Sequence, residues 1–305
     1  MPAHPKTPPK PRTPRIGFTA SPRKWLAHSI VASHIVNGVN LLFPAGERFF
    51  VRSVYRYMDQ IDDPDLRAQV KGFAGQEGRH ANVHERYFEA LRGHGYDIDS
   101  ILEPYERIAY GIIEKRAPAA LRLAATVACE HFTAILAEDA LTDGVLEHAD
   151  PALRNLLYWH AVEELEHKAV AFDVLRQVNP SYVLRMAGLF VATVLLGAFW
   201  LSATRKLLAQ DGVSLLDARR ELARIRKEGA KKGSDQVPRE IVRDIFWRGI
   251  KDYLRPGFHP NDHDHSELVK TTLARLAREG VVDGENDSVD SFPASASRSA
   301  EEAAE

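Results

Sequence analysis

Two short strings, Glu77-Gly78-Arg79-His80 and Glu164-Leu165-Glu166-His167, share the spacing Glu-x-x-His inside segments of helical periodicity. A lone glutamate in an apolar stretch, Glu47 or Glu130, precedes each of them. On a helix, positions i and i+3 lie roughly 60° apart and one turn along, so both side chains can grip one ion. One such string means little, because Glu and His are ordinary helix-surface residues. The order Glu, Glu-x-x-His, Glu, Glu-x-x-His is the ligand order of a four-helix bundle that holds two metal ions. The fold class expected is therefore all-α: a four-helix bundle with a dinuclear metal site, plus a C-terminal helical extension.

The punctuation of the chain agrees. Ser21-Pro22 reads as the start of a helix towards Leu42, and Pro44 interrupts it before a continuation through Tyr57 that carries Glu47. Asp63-Pro64 opens a helix to Arg92 that stops at Gly93 and Gly95. A shorter helix is expected from Pro104 to Lys115. Pro118 opens another, to Leu141, carrying Glu130, and Asp150-Pro151 opens one that ends at Asn179-Pro180. Beyond the bundle, a charged region from Arg219 to Gly233 precedes a helix around Pro238 to Tyr253. The expected organisation is a disordered basic arm over 1–15, the metal-binding bundle over 16–180, a helical extension over 181–279 and a disordered acidic tail over 280–305.

From Met186 to Ala203 there is no charged residue, close to the roughly 20 residues that cross a bilayer. Basic residues flank this segment on both sides: Lys6, Lys10, Arg12 and Arg15 before it, Arg219, Arg220, Arg224, Arg226 and Lys227 after it. A single crossing would put one group on the side that basic loops avoid. Three readings stay open: a buried or homodimer-contact helix, a membrane-embedded helix that does not cross, and a true span. The formal net charge of −2, without a basic, aromatic-interleaved motif, excludes a nucleic-acid partner. Cys129 is the only cysteine, which rules out an intrachain disulfide and a multi-thiolate zinc site and fits a cytoplasmic protein.

Relative to His160, Glu164 sits at roughly 40° and His167 at roughly −20°, so the three share one stripe, with Glu163 at its edge and Glu166 pointing away. Glu77, His80 and His84 share a face of the earlier helix. His84 reads as a group that orients a carboxylate, or as an ordinary buried histidine. His131 reads as a neighbour of Glu130 rather than a ligand. Buried in apolar surroundings, these carboxylates and imidazoles need a partner or a metal. Carboxylate and imidazole donors suit iron or manganese better than a thiolate-loving metal. Three histidines and two aspartates in Phe258 to His265 are expected to form a turn-rich lid or strap.

The strings FPAGERFF, QEGRHANVHERY, CEHFTA and WHAVEELEHKAVAFDV resemble a bacterial family described as predicted metal-dependent hydrolases, from about Arg15 to about Leu276. That likeness implies a ferritin-like core and a bound metal pair. The site alone is also similar to that of the di-iron arylamine N-oxygenases, through His160 four residues before Glu164. Carried over residue by residue, this second resemblance implies seven ligands: Glu47, Glu77, His80, Glu130, His160, Glu164 and His167. The leading functional expectation is an oxidoreductase that activates O₂ or peroxide at two metal ions, iron first and manganese second. It would oxidise a small organic substrate, a lipophilic one if the apolar helix meets a membrane, and as an oxygenase it would need an electron donor. The alternatives are a metal-dependent hydrolase, with His84 or Glu163 as the base, and a non-enzymatic metal-binding protein.

Overall fold

The computed structural model describes residues 7–231 and 241–283, and all regular elements among them are helical. Four helices carry the expected ligands. α1 (Ile30–Asn40) runs almost directly into α2 (Phe43–Tyr55), and α3 (Pro64–Gly93) packs against α2. After α4 (Asp99–Glu106) come α5 (Ala119–Thr142) and α6 (Pro151–His167), packed on each other. Contacts of α2 with α5 and of α3 with α6 close the four-helix bundle α2–α3–α5–α6. Asp63 and Asp150 cap α3 and α6 by accepting the backbone N–H of Asp65 and Ala152, each ahead of a proline in the first turn.

Several boundaries differ from those read in the sequence. The first helix starts at Ile30 rather than near Pro22, because Ala27 and His28 hold left-handed backbone (φ 49° and 54°), which no right-handed helix can include. Leu26 pairs there with Ala149 in an isolated bridge, so a tertiary contact fixes this turn. Pro104 lies inside α4, and residues Arg107–Glu114 form a π-helical run. The helix expected to run on to Asn179 breaks after His167 and resumes as α7 (Val170–Val178).

Residues 7–15, expected to be disordered, are packed on α3. Gly72 and Gly75 make the groove: a Cβ on Gly72 would stand 2.4 Å from the carbonyl of Pro9, and one on Gly75 would stand 2.6 Å from the Pro11 ring. The tail beyond Asp283 and the residues around Pro238 lie outside the described residues.

α8 (Tyr182–Gln210) contains the apolar stretch and lies along α5 and α1. Gly188 allows backbone contact, since a Cβ there would be 2.4 Å from the carbonyl group of Ala124. Farther along, the Trp200 indole donates to the carbonyl of Ile35 at 2.7 Å. One side of α8, including Leu189, Ala192, Trp200 and Leu207, is buried, while Val183, Phe190, Val194 and Leu201 on the other are exposed. By length and composition both α5 and α8 could span a membrane, but α5 is a ligand-bearing helix of the bundle. α9 (Leu215–Lys231) lies on α1, α10 (Ile241–Tyr253) on α5 and α11 (Ser266–Arg278) on α6.

Candidate metal centre

Glu47 follows the joint between α1 and α2, where two tyrosines brace the backbone. Tyr105 and Tyr110 donate to the carbonyls of Leu42 (3.2 Å) and Ala45 (2.6 Å), on either side of Pro44. This fixes the approach of Glu47 to the bundle axis. Glu77 and His80 enter from the middle of α3, Glu130 from the middle of α5, and His160, Glu164 and His167 from three turns of α6.

The structure brings all seven to one interior. His167 Nε2 is 3.0 Å from Glu77, 3.4 Å from Glu130 and 3.6 Å from Glu164. His160 Nε2 is 2.9 Å from Glu164 and 3.8 Å from Glu47, and His80 Nδ1 is 3.6 Å from Glu164. Four trios each place one donor atom per residue within 4.8 Å of one another: Glu47–Glu77–His80, His80–His160–Glu164, Glu77–Glu164–His167 and Glu47–His84–His160. None of these residues is more than 4% exposed.

Burial makes this set electrostatically unsatisfied. Both oxygens of Glu47, Glu77 and Glu130, one of Glu164, Nδ1 of His80 and Nε2 of His167 have no hydrogen-bond partner. Desolvation, then repulsion among the carboxylates, raises the pKa of Glu47 and Glu77 well above the usual range. Burial likewise pushes Glu130 up to about 7. Burial also opposes ionisation of Glu164 and His167, but each holds the other charged, with Glu164 lowered and His167 raised. Orphaned anionic oxygens and imidazole nitrogens converging on one point fit divalent cations, which would displace the protons. The donor set is all oxygen and nitrogen, without a thiolate.

Each imidazole is held from behind. His80 Nε2 is 3.1 Å from Glu163, which also accepts from the Trp159 indole at 3.2 Å and from the backbone N–H of Arg12 at 2.9 Å. His167 Nδ1 lies 2.8 Å from the amide oxygen of Gln76, whose nitrogen donates to Glu166 at 2.7 Å. His160 Nδ1 lies 2.6 Å from His84 Nε2. His84 thus meets an imidazole, and it also shares one of the four trios with the Glu47 carboxylate. Each imidazole so keeps one nitrogen for the interior and one for a supporting group, the usual arrangement behind metal-bound histidines. Phe43 packs at a tilt against both His84 and His160, and Phe73 meets the edge of His167, so apolar rings flank the site.

Spacing alone did not reveal Gln76, Arg12 or the supporting part of Glu166. Glu166 does point away from the interior, but towards Gln76 and Arg12 rather than solvent. The one local signal was the Gly72/Gly75 pair, a groove one turn wide just ahead of Gln76 and Glu77. His131 contacts Gly249, Tyr253 and Phe258 and stays outside the cluster. The histidines of the 258–265 segment join none of the trios: His259 faces Asp173, His263 faces Asp252, and His265 receives Lys168.

Fold and site together define an all-α, ferritin-like bundle with buried His/Glu clusters able to hold metal. The chain belongs to the family described as predicted metal-dependent hydrolases, whose model matches residues 10–264. Searches of curated proteins and of solved structures gave no match.

Proposed function

We propose that the bundle binds two redox-active metal ions, iron in the first place and manganese as the alternative, and that the enzyme uses O₂ or peroxide to oxidise an organic substrate. The observation that carries this reading is the donor set: four carboxylates and three imidazoles, buried, thiolate-free and largely without other partners. Bound ferrous ions would supply the electrons for reducing oxygen, which no side chain here can provide. Glu47, Glu77, Glu130 and Glu164 would neutralise the ions, and His80, His160 and His167 would complete the set. Phe43 and Phe73 keep bulk water from the carboxylates. A catalytic cycle of this type needs an external electron donor and a small-molecule substrate, and a cytoplasmic setting suits the single free thiol.

Hydrolysis is the second reading, and the family's description favours it. Against it stands the engagement of Glu163, one of the two groups that would serve as base, with His80, Trp159 and Arg12; His84 meets His160 through Nε2 and keeps Nδ1 without a hydrogen-bond partner. The experiment is to purify the protein without chelators and follow its ultraviolet spectrum through reduction and re-aeration. Oxidation predicts native iron with a band that bleaches on reduction and returns with oxygen. Native zinc, with ester or phosphate hydrolysis proceeding in the absence of oxygen, would establish the hydrolase instead.

The exposed side of α8 supports contact with a lipid surface without a crossing. Its other side is committed to α5 and α1, while Val183, Phe190, Val194 and Leu201 face outward. Leu215 and Leu216 on α9 are also exposed, next to exposed Arg219 and Arg220. Flotation with anionic vesicles tests this: binding lost when Phe190, Val194 and Leu201 become serine supports it, and a soluble dimer broken by the same changes refutes it.

A further inference from the structure

Away from the metal cluster, the end of α7, the Asn179–Ser181 joint, the first turn of α8 and the segment after α10 line a half-open cavity of about 620 Å³. That volume is within the range of small-molecule sites. Phe172, Leu175, Tyr182, Pro256 and Phe258 supply apolar walls, and Arg185 lines the same cavity.

Arg185 is the unusual group. It is only 6% exposed. Its Nη2 donates to the carbonyl of Arg255 at 2.7 Å, and its Nη1 has no hydrogen-bond partner. Among the described residues no carboxylate forms an ion pair with it. The neighbouring acids are already engaged. Asp262 takes Arg255 at 2.7 Å and the backbone N–H of His259 at 3.2 Å, and Asp173 takes His259 at 3.0 Å. What surrounds the guanidinium instead is aromatic: Tyr253, Tyr182, Phe258 and Phe172 have their ring centres 5.0–5.8 Å from it. Rings offset part of the cost of burying a cation, but they do not supply the in-plane acceptors that a guanidinium fork matches.

We propose that this cavity binds an amphipathic carboxylate, a medium-chain carboxylic acid whose carboxylate meets Arg185 and whose chain lies against Phe172, Leu175, Tyr182 and Phe258. The one unpartnered guanidinium nitrogen, Nη1 of Arg185, suits a monoanion; Arg255 is held by Asp252 and Asp262, and the half-exposed Arg176 lies 3.7 Å from Asp173. A phosphate dianion would call for more than one free cation. The site is separate from the metal cluster and does not rest on the reaction proposed there.

Gly257 provides a second test. It lines the cavity, and a Cβ built on it meets nothing within 4 Å, so Gly257→Leu adds bulk at the cavity wall without a clash and leaves Arg185 unchanged. Calorimetric titration of the full chain with octanoate, octan-1-ol and inorganic phosphate gives the readout. Octanoate should bind saturably, with octan-1-ol and phosphate at least about ten-fold weaker. Gly257→Leu and Arg185→Met should each weaken octanoate by about ten-fold or more, with the helical circular dichroism of Gly257→Leu unchanged. Should Arg185→Met fail to fold, the octanoate-to-octanol ratio and Gly257→Leu still decide. Equal binding of octanol, preference for phosphate, no saturable binding, or octanoate binding that survives Gly257→Leu would each overturn the proposal.

Discussion

Both terminal nitrogens of Arg12 donate to Glu166, at 2.7 Å each, across 154 residues of chain. Through Glu166 and Gln76 this fork reaches His167, and through its backbone N–H to Glu163 it reaches His80. One residue of the N-terminal arm therefore braces two of the three imidazoles. Arg12→Ala should lower metal affinity by roughly 10–100-fold while the helical content stays the same. Competition against a chromophoric chelator measures this, and unchanged affinity would show that the arm only covers the bundle.

Glu130 gives a prediction with a definite sign. Its folded-state pKa is raised to about 7, mainly by burial, from an ordinary 4.5. Between those values the metal-free native state binds more protons than the unfolded chain, so this group's contribution to stability falls as pH rises through that window. Glu130→Gln should therefore stabilise metal-free protein at pH 8 relative to wild type, by on the order of 1 kcal/mol, with a smaller difference at pH 5. The same variant should hold less metal. Denaturant melts of both proteins at the two pH values check the first half, and a destabilised metal-free variant at pH 8 would contradict it.

Gly188 tests the seating of α8. A valine there would drive its side chain into the carbonyl group of Ala124, which belongs to the helix that carries Glu130. Gly188→Val should cost about 1–3 kcal/mol or more, whereas Phe190→Ser on the exposed side should cost less than about 0.5 kcal/mol. Similar losses at both positions would mean that α8 is not fixed by its α5 side.

At the surface, Arg275 and the Tyr158 hydroxyl hold the Glu147 carboxylate down to about 2. A depressed carboxylate contributes stability that is present above about pH 4.5 and lost as the pH falls towards 2. Glu147 is largely solvent-exposed, so screening limits this to at most about 1 kcal/mol. Glu147→Gln should flatten the acid limb of the stability curve by that amount and leave pH 7 metal binding unaltered.

Three of the helices that bear candidate ligands were legible because their starts are local: Asp63 and Asp150 cap the first turn ahead of a proline, and Pro118 immediately precedes α5. Helical spacing sets which residues of one helix share a face, so the pairing of Glu77 with His80 and of His160 with Glu164 and His167 was legible, whereas the set of seven came from the resemblance. The late start of α1 was not, because the left-handed turn at Ala27 and His28 depends on the bridge from Leu26 to Ala149. The α6 break was hidden in the same way: Lys168 turns to the carbonyl of His263 and to His265, far along the chain. For α8, composition showed the apolar helix, but only the placement of α5 distinguishes Leu189, which is buried, from Phe190, which is not. The supports behind the imidazoles pair residues that no local pattern links, as Arg12 and Glu166 illustrate.

The most direct measurement is the metal content of full-length protein purified without chelators or a histidine tag, alongside a Glu47→Ala/Glu130→Ala double variant of unchanged helicity. The account predicts about two ions per chain in the wild type, dominated by iron or manganese, and a clear loss of metal in the variant. No stoichiometric metal in the wild type, or full occupancy in the double variant, would contradict a dinuclear centre in this bundle.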